Sequence, residues 1–189
     1  FSKKIRAQIG EKQDFSLQLL EDKASNGYMQ IMTAQVLKKP EITRRFVSDK
    51  LYEKIEQQIK TEPAFVFNRL YLNHVTSFDF YKENGKDNIV VAIKRSSQKI
   101  KNTDTSSPQF EQSIFSENEV LIMSRDTGAG KPQGSLYAHS CPNCGAPVKD
   151  TIELNCTYCN AQLNSTKYEW IVSDWMSAEE YDQFKKSTS

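Results

Sequence analysis

The chain contains four cysteines, and they occur as two closely spaced pairs. Cys141 and Cys144 form the first pair, Cys156 and Cys159 form the second, and eleven residues separate the pairs. Two residues between the members of a pair make a tight turn that aims both sulfurs at one point. Zn²⁺ is stable in a tetrahedral shell of four thiolates at about 2.3 Å and has no redox chemistry. The spacing therefore predicts one Zn²⁺ ion bound by all four cysteines.

The residues that follow each pair favour a metal site over the alternatives. Gly145 follows the first pair and Asn160 the second, and both residue types tolerate the left-handed backbone conformation of such a turn. A thioredoxin-like redox site would have one pair between a strand and a helix, and a disulfide framework would scatter its cysteines. Four protein sulfurs leave no position for a substrate, so the site is expected to be structural and its segment to need the metal to fold.

Length and charge narrow the protein class further. The 189 residues suffice for one sizeable core and a small additional module, and the net charge of +1 gives no overall attraction to nucleic acid. No apolar run approaches the ~20 residues that span a bilayer. Because the sequence begins with Phe1 and shows no signal peptide, we expect a fragment or a processed product. Thiolate metal sites survive best under reducing conditions, which predicts a cytoplasm-facing location.

Apolar residues spaced by three and four predict helices in the first sixty residues. One stripe runs along residues 20–36 and ends before Pro40. Asn26-Gly27 either divides this stretch into two helices or lies inside one. A second helix is expected to begin after Ser48, a favourable N-cap residue. Its apolar face comprises Leu51, Ile55 and Ile59.

The pattern then changes to one typical of strands. Residues 65–82 are rich in aromatic and β-branched side chains, and residues 88–95 form an apolar partner strand. Between them, Asn84-Gly85 supplies the positive φ angles of a hairpin turn. The polar stretch from Ser96 to Pro108 is predicted to be a loop.

Two more strands and a helix complete the predicted order. A third strand is expected within residues 110–125 and a fourth at residues 168–172, so the cysteines lie between two strands. Ser177 and Glu180 form a capping box for a terminal helix that reaches about residue 186. Helices followed by an antiparallel meander predict an α+β fold.

The order of these elements and two motifs resemble a known family. Residues 42–55 (ITRRFVSDKLYEKI) and the late Trp170-to-Ser173 strand resemble the C-terminal domain of the mitochondrial inner-membrane translocase subunit 44. The run from Cys141 to Pro147 (CPNCGAP) is similar to the zinc ribbon of bacterial relatives, which precedes the final tryptophan-containing strand. The resemblance covers residues 14–173. It departs at Asn160, where the family more often has glycine, and in the long polar loop.

The resemblance implies both a fold and a role. The fold would be N-terminal helices packed on a curved antiparallel sheet, a cone of the nuclear transport factor 2-like or cystatin-like type. Residues 1–135 and 166–189 would form the cone, and residues 136–165 the inserted zinc ribbon. The role would be non-enzymatic and membrane-associated, because the mitochondrial member tethers a chaperone to an import channel and contacts anionic lipid. The expected partner is a membrane protein or anionic lipid.

A small-ligand or enzymatic cone is the alternative. Cone folds also host enzymes that use an Asp–His or Asp–Tyr group in an internal pocket, and the first strand offers Asp79, Tyr81 and His74. His139 could substitute for a metal ligand, yet four thiolates already complete the shell. Nucleic-acid binding is not expected, since the segment between the cysteine pairs has no basic surface.

Two surfaces are candidates for partner binding. The first is a cationic stretch that comprises Lys38, Lys39, Arg44, Arg45, Lys50, Lys54 and Lys60. The second is one face of the sheet, because the strands at 88–95 and 110–125 carry apolar residues on both faces. The face not covered by the N-terminal helices either forms a pocket or partner surface, or is wrapped by the C-terminal segment.

Overall fold

Helices precede a four-stranded antiparallel sheet, which confirms the predicted α+β class. The computed structural model describes residues 2–9, 15–101, 113–129, 139–149 and 152–188. The strands are hydrogen-bonded in the order β1-β2-β3-β4. The elements are α1 Ser2–Ile9, α2 Leu17–Leu37, a 3₁₀ turn Pro40–Thr43, α3 Asp49–Thr61, β1 Val66–Glu83, β2 Lys86–Ile100, β3 Phe115–Asp126, β4 Ile171–Ser177 and α4 Ala178–Thr188.

The main core lies between α2, α3 and one face of the sheet. Alternate side chains of β2 point to this face. The predicted N-cap of α3 is confirmed, since the Ser48 hydroxyl accepts the Leu51 N–H at 3.2 Å. Buried residues of this core include Tyr28, Ile31, Leu51, Ile55, Ile89, Val91, Ile93, Leu121 and Val172.

Helix α2 runs without a break through Asn26-Gly27, which settles the alternative that the sequence left open. Gly27 is buried, and a Cβ at this position would lie 3.0 Å from Cγ2 of Val172. Val172 has little room to move, because its N–H donates to the Phe46 carbonyl and its carbonyl accepts from the Ser48 N–H, both at 2.9 Å. The glycine therefore allows α2 to approach β4 closely.

Gly27→Ala is expected to destabilise the protein by about 1 kcal/mol, because overpacking against the fixed Val172 outweighs the gain in helix propensity. Urea unfolding followed by circular dichroism measures this change. Thr33→Ala, at an exposed position of the same helix, serves as the control and should be neutral or slightly stabilising. A Gly27→Ala variant as stable as Thr33→Ala would contradict the close-approach argument.

The β1–β2 hairpin matches the prediction at its turn and extends beyond it at its open end. Asn84 and Gly85 have φ angles of 50° and 72°, as the hairpin turn requires. β2, however, continues to Ile100, so the first residues of the predicted loop belong to the strand. Ser96 pairs with Tyr71 of β1 and with a residue of β3. Pairing on both sides stabilises this polar segment as a strand, which local composition does not indicate. Residues 102–108 of the predicted loop lie outside the described residues.

The predicted fourth strand is displaced toward the C-terminus. It begins at Ile171 and runs to Ser177, whereas the N–H groups of Tyr168 and Glu169 both donate to the Ser165 carbonyl at 3.2 Å and form a turn. Glu169 is buried there and pairs with Lys23 of α2 at 2.6 Å. Tyr168 and Trp170 therefore lie in the segment that leads the chain back to the sheet, and they are not part of β4.

The C-terminal helix covers part of the second face of the sheet. Tyr181 packs with Val90 and Val120, and all three are buried. The predicted capping box is confirmed, because the Glu180 N–H donates to the Ser177 hydroxyl at 3.1 Å and the Ser177 N–H donates to the Glu180 carboxylate at 2.7 Å. Sequence analysis left open whether this face is a binding surface or is covered by the C-terminal segment. The part of the face that packs against α4 is covered. The cone shape and the domain limits stay predictions.

Candidate metal centre

The two cysteine turns are built on the same backbone pattern. In the first, the Gly145 N–H donates to the Cys141 carbonyl at 2.9 Å, and the Cys141 N–H donates to the Ala146 carbonyl at 2.8 Å. Gly145 has φ 74° and the equivalent Asn160 has φ 58°, so both turns use the left-handed conformation that these residue types tolerate. The corresponding bonds of the second turn join Asn160 to Cys156 at 2.8 Å and Cys156 to Ala161 at 2.9 Å.

The four sulfurs converge on one point between the turns. All four Sγ atoms lie within 4.8 Å of one another. Cys141 Sγ lies 3.7 Å from Cys159 Sγ, and Cys144 Sγ lies 3.7 Å from Cys156 Sγ. These distances are too long for disulfides, whose S–S bond is about 2.05 Å. A regular tetrahedron with metal–sulfur bonds of about 2.3 Å has edges of about 3.8 Å. The cluster therefore has the ligand type and spacing to hold a metal ion.

Backbone N–H groups are aimed at two of the sulfurs. The Asn143 N–H donates to Cys141 Sγ, and the Tyr158 N–H donates to Cys156 Sγ, each at 3.4 Å. Such donors stabilise sulfur in its thiolate form, which is the form that binds metal. The first cysteine of each pair is buried, and its sulfur accepts a backbone hydrogen bond from within its own turn.

The second cysteine of each pair is exposed. Hydrogen bonds from the Asn143 side-chain amide, at 3.5 Å, and from the Ala161 N–H lower the pKa of the Cys159 thiol below its usual value. The Asn143 contact joins one turn to the other, and a sequence search for ligands does not identify it. The sequence does contain one indication of this contact, because Asn143 lies between the two cysteines of the first pair.

The segment around the cluster has a very small apolar core. Cys141, Cys156, Val148 and Leu163 are buried together, with alanines at the edge. Two of these four side chains belong to the cysteine cluster itself. So few apolar groups cannot offset the conformational entropy of ordering the segment, and a bound metal would supply the missing free energy.

His139, the other potential ligand of the sequence analysis, contributes backbone instead. Its carbonyl accepts the Val148 N–H at 2.9 Å. Among the described residues, the group that could hold a metal ion consists of the four cysteines and does not include His139.

Several cations of the 38–60 stretch are engaged within the protein. The Lys38 ammonium donates to the carbonyls of Ile59 at 3.2 Å and Glu62 at 2.6 Å, and so caps the C-terminal end of α3. Arg44 lies over the Tyr52 ring, with its guanidinium carbon 4.2 Å from the ring centroid. These contacts leave less positive charge available to a partner than the sequence indicates.

Other members of the stretch differ in their exposure. Arg45 is 4 % exposed. Lys54 donates to the Trp175 carbonyl and lies 3.5 Å from the Asp174 carboxylate. Lys39 and Lys50 are exposed. Charge reversal at Arg45 would therefore test folding, and a test of lipid contact belongs at Lys39 and Lys50.

The structure separates the three candidate residues of β1. Asp79 and Tyr81 line one open pocket beside α4, whereas His74 lines a different groove of about 230 Å³ on the same face. Asp79 accepts a hydrogen bond from the Tyr181 hydroxyl at 3.1 Å. This hydrogen bond joins residues 102 positions apart in sequence, and its tyrosine is one that sequence analysis did not single out.

Comparison of the sequence with known proteins does not assign it to a family. No family model matches the sequence, and no curated protein matches it significantly. Among the described residues, no helix combines the length and the apolar character that crossing a bilayer requires. The relationship to the translocase subunit 44 family therefore stays a prediction.

Proposed function

We propose that Cys141, Cys144, Cys156 and Cys159 bind one Zn²⁺ ion as a structural centre. The convergence of four thiols at tetrahedral spacing, in a segment with almost no core of its own, carries this proposal. Thiolates select zinc among the common divalent ions, because Mg²⁺ and Ca²⁺ prefer oxygen ligands. Four sulfurs complete the shell, so the ion holds the fold and does not activate water.

Native mass spectrometry of the purified protein, prepared without chelator, tests the metal directly. One zinc per chain is expected, together with the loss of protons that thiolate coordination requires. A chain that retains no metal under these conditions and still has a folded cysteine segment would overturn the proposal.

We further propose that the chain is a non-enzymatic binding domain that acts at a membrane. The resemblance to the translocase subunit 44 family suggests a tethering role toward a membrane protein or anionic lipid. The exposed Lys39, shortly after the end of α2, and Lys50, in the first turn of α3, are the cations through which lipid contact would be made. A lysine near an anionic surface contributes about 1 kcal/mol.

Reversing Lys39 and Lys50 together to glutamate is expected to weaken binding to anionic vesicles at least ~20-fold, at about 1 kcal/mol per lysine removed. Sedimentation with vesicles that contain phosphatidylglycerol, at low and at high salt, measures this. Lys186→Glu, an exposed reversal on α4, is the matched control. Equal vesicle binding by the double variant and the control would remove this surface from the proposal.

A further inference from the structure

An open pocket lies on the second face of the sheet, between β1 and α4. Its volume is about 280 Å³. None of the four cysteines lines it, so ligand binding there would not depend on zinc. The lining residues are Asp79, Tyr81, Lys82, Glu83, Tyr181, Phe184 and Lys185.

Aromatic rings form much of its wall. The Tyr181 and Phe184 rings are 6.3 Å apart between centroids and tilted by 33°. Tyr181 is 3 % exposed and is supported by an edge-on contact with Phe78 at 5.6 Å. Tyr81 is half-buried on the strand side. Tyr81 and Phe184 are half-buried, so these two rings keep surface open to the pocket. A ring face attracts a cation, most strongly when water is partly excluded.

A carboxylate stands among these rings. Asp79 accepts hydrogen bonds from the Tyr181 hydroxyl at 3.1 Å, from the Phe80 N–H at 2.9 Å and from the Lys185 ammonium. Burial alone would raise the pKa of Asp79, but these hydrogen bonds, led by the one from Lys185, lower it below its ordinary value. Asp79 is thus a fixed negative charge at neutral pH.

The remaining charges make the pocket favourable to a cation. Lys82 also lines the pocket, and its ammonium lies 3.5 Å from the carboxylate of the buried Asp87, which partly neutralises its charge. Glu83 adds a second carboxylate to the lining. Burial, followed by the charges of Glu83, Asp174 and Asp79, raises the pKa of Tyr81 to about 12.

The protein already places an alkylammonium group in this pocket. Lys185 reaches Asp79 from α4, across 106 positions of sequence. Its side chain is 56 % exposed, so an ammonium ligand from solution could replace it at small cost. The contact of Lys185 with Asp79 therefore shows that the groups lining the pocket can bind an alkylammonium ion.

We propose that this pocket binds a small organic cation, a primary or methylated ammonium compound, in exchange for Lys185. Asp79 is the counter-ion, which the Tyr181 hydroxyl holds in place, and the rings of Tyr81 and Phe184 contact the N-alkyl groups. The site binds its ligand weakly in the wild-type protein, because the ligand must displace Lys185.

Choline is the probe, and its neutral isostere 3,3-dimethylbutan-1-ol is the control ligand. Two-dimensional NMR with isotope-labelled protein measures affinity from the shifts of the Tyr81, Tyr181 and Phe184 rings. Lys185→Ala should bind choline about fivefold more tightly than wild type, because choline no longer has to break the Lys185–Asp79 pair. A factor of about five corresponds to the free energy of one exposed ion pair. Asp79→Asn should bind about tenfold more weakly. Lys186→Ala, one residue along and outside the pocket lining, should match wild type.

Misfolding would not increase choline affinity. The higher affinity expected for Lys185→Ala therefore tests the proposal even if Asp79→Asn is unstable. Tighter choline binding by Lys185→Ala, with no comparable binding of the neutral isostere, supports the site. Unchanged or weaker choline affinity in Lys185→Ala, or equal binding of the two ligands, would overturn it. Zinc content measured on the same samples stays at the wild-type value in either case, so failure here leaves the metal proposal standing.

Discussion

Replacing Cys144 with serine is expected to abolish tight zinc binding and to unfold the cysteine segment while the sheet remains folded. Cys144 is exposed, so a serine there removes a ligand without creating a cavity. Structural zinc contributes about 10–16 kcal/mol to comparable small domains, and a hydroxyl is a poor replacement for a thiolate. The core between α2, α3 and the sheet includes none of the four cysteines, which is why the loss should stay local.

Cobalt substitution and hydrogen exchange give two separate measurements. Wild-type protein should show the absorption spectrum of tetrahedral Co²⁺ bound by four thiolates, whereas Cys144→Ser should show a weaker, altered spectrum or none. Amide protection should be lost in residues 139–149 and 152–163 and retained in β2 and β3. Tyr158→Ser is the matched control, because Tyr158 is 69 % exposed and lies between the cysteines of the second pair. If Cys144→Ser retained zinc as Tyr158→Ser does, the four-sulfur assignment would be wrong.

The cysteine cluster was predictable because most of its determinants are local in sequence. Each turn is defined within six residues by its own hydrogen bonds and by one residue, Gly145 or Asn160, at positive φ. The hairpin at Asn84-Gly85 and the N-cap at Ser48 were predictable for the same reason. In each case a side chain or a φ preference acts on backbone only a few residues away.

What the sequence could not indicate depends on partners that are distant along the chain. Ser96 lies in a strand because neighbours on both sides pair with it, and its own composition favours a loop. Lys23 and Glu169 are charged residues that a hydropathy pattern places on the surface, yet they pair in the interior. The Asp79–Lys185 contact joins the middle of the chain to its last helix. The periodic pattern of apolar residues in the sequence does not indicate which distant residues pair in this way.

A buried charged cluster holds the main core together, and it too was absent from the prediction. Glu119 of β3 accepts hydrogen bonds from the Tyr28 hydroxyl and from Trp175 Nε1, the latter at 3.1 Å. Arg95 of β2 is 5 % exposed, and its Nε lies 3.1 Å from the Glu119 carboxylate. Burial, and then the charge of Glu119, raises the pKa of Tyr28 well above its usual value, so Tyr28 remains a donor at neutral pH. The carboxylate thereby connects α2 with three strands.

Glu119→Gln is therefore expected to destabilise the protein by about 3 kcal/mol, because it leaves the buried Arg95 paired only with the exposed Glu117. Glu117→Gln is the matched control. Glu117 pairs with the same guanidinium, but its side chain is 47 % exposed, and an exposed ion pair contributes at most about 1 kcal/mol. Urea unfolding of both single variants and of the double variant gives the coupling between the two pairs. Equal losses for the two single variants would show that burial of the Glu119 pair is not what makes this cluster stabilising.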